Sequence, residues 1–144
     1  MLIYLDNCCF NRPFDVSDNV TIRLETDAKL FIQTEILAGK FDLVWSFILH
    51  YENNDNPFID RKEQIFLWQS IAKKHIPYSQ EILEKAKSIM NLGVRHKDSY
   101  HIASELDADC KYFITTDKKL LNKNIEGILI INPIDFVRRI YDEK

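Results

Sequence analysis

Four short runs of β-branched and aromatic residues punctuate the chain: LIYL near the start, then DLVWS, YFITT and ILII. They are continuous rather than alternating, which suits strands buried on both faces of a sheet. Between them the apolar positions recur at helical spacing. After Asp18, a short acid suited to capping, residues Val20, Leu24, Ala28, Phe31 and Ile32 predict one apolar helix face. Ser46 can cap a second helix running to about Asn53. A third runs from about Ile59 to Lys74, with Ile65, Phe66, Trp68 and Ile71 as its apolar members. IPYSQEILEKAKSIMNLG supplies a fourth, with Ser79 as cap and Gly93 as terminator. DSYHIASELDA and NPIDFVRRIYDEK add two more, and the piece after Asp117 a further turn. A very short strand around Ile76 would bring the strands to five.

Strands that alternate with helices pair in parallel through right-handed crossovers. The predicted fold is therefore α/β: a three-layer α/β/α sandwich around a mostly parallel sheet of four to five strands. In such folds the ligand site lies outside the carboxyl ends of the strands, where the strand order reverses. Asp6, which closes LIYL, falls at that edge.

Composition narrows the class. At 144 residues, with only 3 Gly and 4 Pro, the chain reads as one compact domain over residues 1–144, without linker, repeat or low-complexity stretch. No apolar run approaches the roughly 20 residues that span a bilayer, and LIYL lacks the features of a signal peptide. Three cysteines, two of them adjacent, make a poor disulfide framework and fit a reducing compartment, so a cytoplasmic protein is expected. The formal net charge of −3 gives no global attraction to nucleic acid. Any such partner has to be held by a local basic patch or through metal ions.

Four carboxylates stand out by position. Asp6 closes LIYL and Asp117 closes YFITT in the same sense, so both point to one edge of the sheet. Glu52 lies nearly two turns into the helix leaving DLVWS, and Asp98 begins the helix that precedes YFITT. Singly, each has a plain structural role: Asp6, Asp98 and Asp117 as caps, Glu52 as a solvated helix residue. Jointly they repel, and such a cluster is stable only with shared protons or bound cations. Oxygen-only ligation suits Mg²⁺ or Mn²⁺, and the chemistry it implies is metal-assisted hydrolysis of a phosphodiester.

Four segments in this order, LDNCCFNRP, SFILHYE (Ser-x-x-Leu-x-x-Glu), KDSYHIA (Asp-x-x-His-x-Ala) and FITTD, resemble the PIN-domain family, many of whose members are ribonuclease toxins of VapBC-type toxin–antitoxin pairs. The resemblance covers nearly the whole chain. It implies an acidic catalytic quartet of Asp6, Glu52, Asp98 and Asp117, with Mg²⁺ or Mn²⁺ held chiefly by Asp6 and Asp98. It also implies cleavage of single-stranded RNA, homodimers and a small antitoxin partner. Asn7 departs from the family, where many members carry Ser or Thr.

Other residues compete for roles. Cys8 and Cys9 lack the Cys-x5-Arg spacing of a phosphatase loop and any zinc spacing, and read as small packing residues. Arg12 and Arg23 are phosphate contacts or surface charges. His101 shares a helix face with Asp98, either as a structural histidine or to steer a water or RNA. Basic residues flank two of the acids, in RHK before Asp98 and at Lys118 and Lys119 after Asp117, and such a ring could hold an RNA backbone. Two rival classes remain: a PIN-fold module that binds RNA or protein without cleaving, and, more weakly, an acidic-pocket phosphotransfer domain.

Overall fold

The computed structural model describes residues 1–11 and 19–142. A five-stranded, all-parallel sheet carries the fold: β1 (Leu2–Leu5), β2 (Asp42–Ser46), β3 (Lys74–Ile76), β4 (Tyr112–Ile114) and β5 (Leu129–Ile131), in the spatial order β3-β2-β1-β4-β5. Helices flank it to make the three-layer sandwich. These are α1 (Asn7–Asn11), α2 (Val20–Leu37), α3 (Phe47–Asn54), α4 (Ile59–Ile71), α5 (Gln80–Met90), α6 (His96–Asp107), α7 (Lys118–Leu121) and α8 (Pro133–Asp142).

The central strand explains the layering. In β1, Ile3 pairs with Leu43 on one side and Tyr112 on the other, and Ile3, Tyr4, Leu43, Val44 and Phe113 are wholly buried. A strand covered on both faces has no polar side to show, so its sequence is a continuous apolar run. Strand order reverses between β1 and β4. Their carboxyl ends therefore splay open beside each other, and Asp6 and Thr115 sit at that gap.

Several boundaries depart from the sequence expectation. The helix expected to reach Lys74 stops at Ile71, because Ala72 turns extended (ψ 140°) and the chain enters β3. Lys74 is thus a strand residue, and its ammonium donates to the Ala108 carbonyl at 2.8 Å. The β4 ladder ends at Ile114, three residues short of Asp117. Asp98 lies in the first turn of α6, after Arg95 at the cap position, and does not begin that helix. Asp18 lies outside the described residues; the side chain that caps α2 is Asn19, which accepts from the Ile22 amide.

The face of α2 is the largest reversal. Val20 and Leu24 are 59% and 53% exposed, and the inward stripe runs through Glu25, Lys29, Ile32, Glu35 and Ile36. Those polar residues are inside because each finds a partner. Glu25 accepts from Asn132 at 2.7 Å, Lys29 donates to the Cys8 carbonyl at 3.1 Å, and Glu35 accepts from the Tyr141 hydroxyl at 2.7 Å. These bonds fasten α2 to α1 and to the α8 region, and a hydrogen-bonded polar group can be buried where an unpaired one cannot.

Candidate functional site

Asp6 is only 8% exposed, directly after β1. Such burial demands donors. Its Oδ1 accepts from the Asn7 amide at 2.7 Å, and its Oδ2 accepts from the Thr115 hydroxyl at 2.7 Å, with the Cys8 thiol at 3.7 Å. Thr115 follows β4, so the two strands flanking the reversal point supply the acid and its donor. The same hydroxyl accepts from the Asp117 amide at 3.1 Å and so ties the turn after β4 to the site. Cys9 packs in the core as expected, whereas Cys8 is half-buried and faces the acid.

Across the gap stands a buried relay. His101 on α6 has no exposed surface; its Nε2–H donates to Glu52 Oε1 on α3 at 2.5 Å, and Nε2 lies 3.9 Å from Asp6 Oδ1. Its Nδ1 bonds the Tyr4 hydroxyl at 2.6 Å, and that hydroxyl bonds Ser46 Oγ, also at 2.6 Å. Ser46 doubles as the α3 cap, accepting from the Leu49 amide. Burial pushes the Tyr4 phenol well above its ordinary range despite the Ser46 bond, so it remains a neutral hydroxyl. Burial alone would pull the His101 pKa down. The Glu52 hydrogen bond and the charges of Glu52, Asp6 and Asp98 outweigh it, and the net displacement is upward.

The other two acids have a cation of their own. Arg95 donates from Nε to Asp98 Oδ2 at 2.8 Å and from Nη2 to Asp117 Oδ2, bridging the carboxylates. These bonds, with Asp117 first, raise the guanidinium pKa further above its usual value. Burial leaves the Asp98 carboxyl raised even beside this partner. Asp117 is also the cap of α7, its Oδ1 accepting from the Lys119 amide at 2.9 Å. A capping residue and a site residue are here the same side chain.

Asp6, Glu52, Asp98 and Asp117 line one cavity of ≈ 540 Å³, together with Asn7, Cys8 and Arg95. The four carboxylates are not equivalent within it. Asp6 and Glu52 group with His101, one donor atom from each lying within 4.8 Å of the others, while Asp98 and Asp117 group around Arg95. The lining sets these four carboxylates against the cations of Arg95 and Lys97, a formal balance of −2 that a divalent cation would cancel. The donors fit such an ion: two carboxylates and an imidazole whose far nitrogen is anchored by Tyr4, the outer support that metal-ligating histidines need. Asp98 adds a further carboxylate at the rim, where Arg95 engages Oδ2 and not Oδ1.

Among the remaining sequence candidates, Lys118 and Lys119 are exposed at the start of α7, and Arg23 is exposed on α2, away from the acidic cavity. Arg12 lies outside the described residues. Three participants were not singled out from the sequence. Tyr4 and Thr115 looked like ordinary strand residues, and Arg95 counted only as part of a basic flank. The i,i+3 spacing of Arg95 and Asp98 was the available signal for an ion pair.

No protein-family model matches the sequence. No curated protein matches it either. A solved structure does: a chain in the crystal structure of VapBC2 from Rickettsia felis bound to a DNA fragment from their promoter superposes with a TM-score of 0.60 at 12% identity, covering 92% of this chain and 98% of that one. At this identity the likeness is one of fold. It agrees with the sheet and flanking helices described above, a PIN-like three-layer sandwich.

Proposed function

We propose that the chain is a divalent-metal-dependent endoribonuclease, the toxin of a toxin–antitoxin pair. The observation that carries this reading is the convergence of Asp6, Glu52 and His101 at the point where strand order reverses, in a cavity that also holds Asp98 and Asp117. The fold shared with a chain of a VapBC complex adds support.

In this reading Asp6, Glu52 and His101 would hold Mg²⁺ or Mn²⁺, with Asp98 as a further direct ligand through the oxygen that Arg95 does not engage and Asp117 acting on the site through water. The bound ion supplies a polarised phosphoryl oxygen and an acidified water for hydrolysis. The chain's own groups do the rest. Thr115 and the Asn7 amide aim the Asp6 carboxylate, and Tyr4 fixes the imidazole so that Nε2 faces the carboxylates. Lys118 and Lys119 stand beside Asp117 as contacts for the RNA backbone. Exposed Val20, Leu24 and Phe31 on α2 offer an apolar strip for an antitoxin or a second copy of the chain.

The test is Mn²⁺ calorimetry on the wild type, Asp6→Asn and Asp98→Asn, with circular dichroism to establish folding, followed by cleavage of single-stranded RNA with and without EDTA. Binding that vanishes in Asp6→Asn, and cleavage that vanishes with it, is the expected result. A folded wild type that binds no Mn²⁺ would instead leave a non-catalytic RNA- or protein-binding module. One observation favours that second reading: Arg95 already pairs with two of the four acids from within the protein.

A further inference from the structure

A second cavity, of ≈ 310 Å³, opens on the far side of the Arg95–Asp98 pair and shares both residues with the acidic one. Its character is opposite. Arg95, Lys119 and Lys123 line it against the single carboxylate of Asp98, a balance of +2 in a chain whose total is −3. Neither Lys119 nor Lys123 has an ion-pair partner among the described residues, and Arg95 spends Nε and Nη2 on its two acids while Nη1 makes no hydrogen bond there. Five donors on a guanidinium allow one edge to hold carboxylates while another faces a second anion.

Lys123 is placed rather than loose. It is half-buried, its amide donates to the Leu120 carbonyl at 2.9 Å, and its ammonium rests against Gly93, 3.2 Å from where a Cβ would stand. Gly93 has φ +90°, a conformation that already favours glycine, and the missing side chain leaves room for the ammonium. A cleft lined by one sign of charge focuses the field and raises the local concentration of the opposite ion. The volume is at the lower end of the range, about 300–1,000 Å³, of ligand pockets.

We infer that this cavity is a phosphate subsite, in which Lys119, Lys123 and the free edge of Arg95 take the backbone phosphodiester of single-stranded RNA next to the one at the acidic cavity. The inference rests on the nuclease reading for its ligand but not for its geometry. It also accounts for how an acidic chain could hold a polyanion: the second phosphate is bound by fixed cations, and the strand is thereby drawn across the Arg95–Asp98 boundary. The subsite sets position along the strand rather than base identity, since phosphate contacts carry no sequence information directly.

The experiment uses the full chain in EDTA, so that no metal contributes, with a mixed-sequence decamer of 2′-O-methyl RNA as an uncleavable probe followed by fluorescence anisotropy across a KCl series. The variant is Lys119→Gln with Lys123→Gln; the control is Lys73→Gln with Lys111→Gln, two lysines that precede strands at the opposite edge of the sheet. The expected result is a tenfold or greater loss of affinity in the variant, with the slope of log K against log[KCl] shallower by about 0.7 for each phosphate no longer neutralised. The control should match the wild type. Unchanged affinity and slope in a folded variant would overturn the inference, as would equal losses in variant and control, or a wild type that does not bind the decamer. The nuclease reading fails separately, by the Mn²⁺ titration above. A protein that binds no Mn²⁺ yet loses the decamer in the variant keeps the subsite and loses the catalysis.

Discussion

Arg95 and Asp117 are joined by an ion pair that spans 22 residues of sequence, from the cap position of α6 to the cap of α7, and Arg95 holds Asp98 at the same time. The guanidinium thus occupies, for two of the four acids, the electrostatic role that the sequence assigned to a metal ion. A protein-borne cation and a divalent ion compete for the same charge.

Replacing Arg95 by Gln tests that competition. Removing one positive charge from the rim that the ion would share, at an effective dielectric near 20, is worth on the order of a few kcal/mol. Mn²⁺ affinity is therefore expected to rise by about tenfold or more, while thermal stability without metal falls because Asp98 and Asp117 are left to repel each other. Calorimetry and thermal melts with and without Mn²⁺ read both effects. Weaker Mn²⁺ binding in a folded Arg95→Gln protein would show that Arg95 organises the acids for the ion rather than competing with it.

The Tyr4 hydroxyl links His101 Nδ1 to Ser46 Oγ. Tyr4→Phe keeps the ring and its packing on Phe113, 5.2 Å between centroids, but removes that link. His101 Nδ1 then loses the Tyr4 hydroxyl while Ser46 Oγ keeps the Leu49 amide, and the cost is about 1–3 kcal/mol in chemical denaturation. Mn²⁺ affinity should fall by about 10- to 100-fold, the usual effect of losing the outer support of a histidine ligand. A variant that loses stability but binds Mn²⁺ as the wild type does would make Tyr4 a core residue only.

Thr115→Val probes the other side of the site. The threonine hydroxyl donates to Asp6 and accepts from the Asp117 amide, so the substitution takes a donor from a buried carboxylate and the acceptor from a half-buried amide while keeping the side-chain shape. A loss of about 1–3 kcal/mol is expected from urea denaturation. Added Mn²⁺ should recover part of it, since an ion on Asp6 replaces the missing donor and stabilises whatever state it binds. If Mn²⁺ raises the melting temperature no more in Thr115→Val than in wild type, Asp6 does not exchange its hydroxyl partner for the ion.

How much of this was legible depends on what a residue's pattern encodes. The runs LIYL and DLVWS announced buried parallel strands because burial on both faces leaves an unbroken apolar signature, and Asp6 then followed from topology alone. The short strand at Ile76 was also readable, although helix α4 ends earlier than its pattern suggests. The orientation of α2 was not. Val20 and Leu24 form as good an apolar stripe as many core helices, yet Glu25, Lys29 and Glu35 turn inward because their partners, Asn132, the Cys8 carbonyl and Tyr141, arrive from distant chain segments. The same limit hid the split in the acidic site. Sequence order placed four carboxylates on one rim, but whether Arg95 leans toward them or toward solvent is decided by the Asp117 turn, which only the fold brings near.

Glu105, finally, tests the electrostatics of the core away from the site. It has no exposed surface, and the group facing its carboxyl is the Cys110 thiol, a weak donor that does not offset the burial. Burial pushes its pKa well above the usual 4.5. Because the folded value lies above the unfolded one, the stability linked to this proton is fully present below about pH 4.5 and is lost as pH rises through the raised folded value. Near neutral pH the group therefore weighs against the fold, either as a buried charge or as a proton held at a cost. Glu105→Gln keeps the shape and removes the titration. Denaturation by urea at pH 5 and pH 8 should show the variant gaining on the wild type as pH rises, by about 1–3 kcal/mol, the cost of an unsatisfied buried polar group. Two stability curves that run parallel between those pH values would mean that Glu105 finds a proton-independent partner in solution, and that the α6 core carries no such penalty.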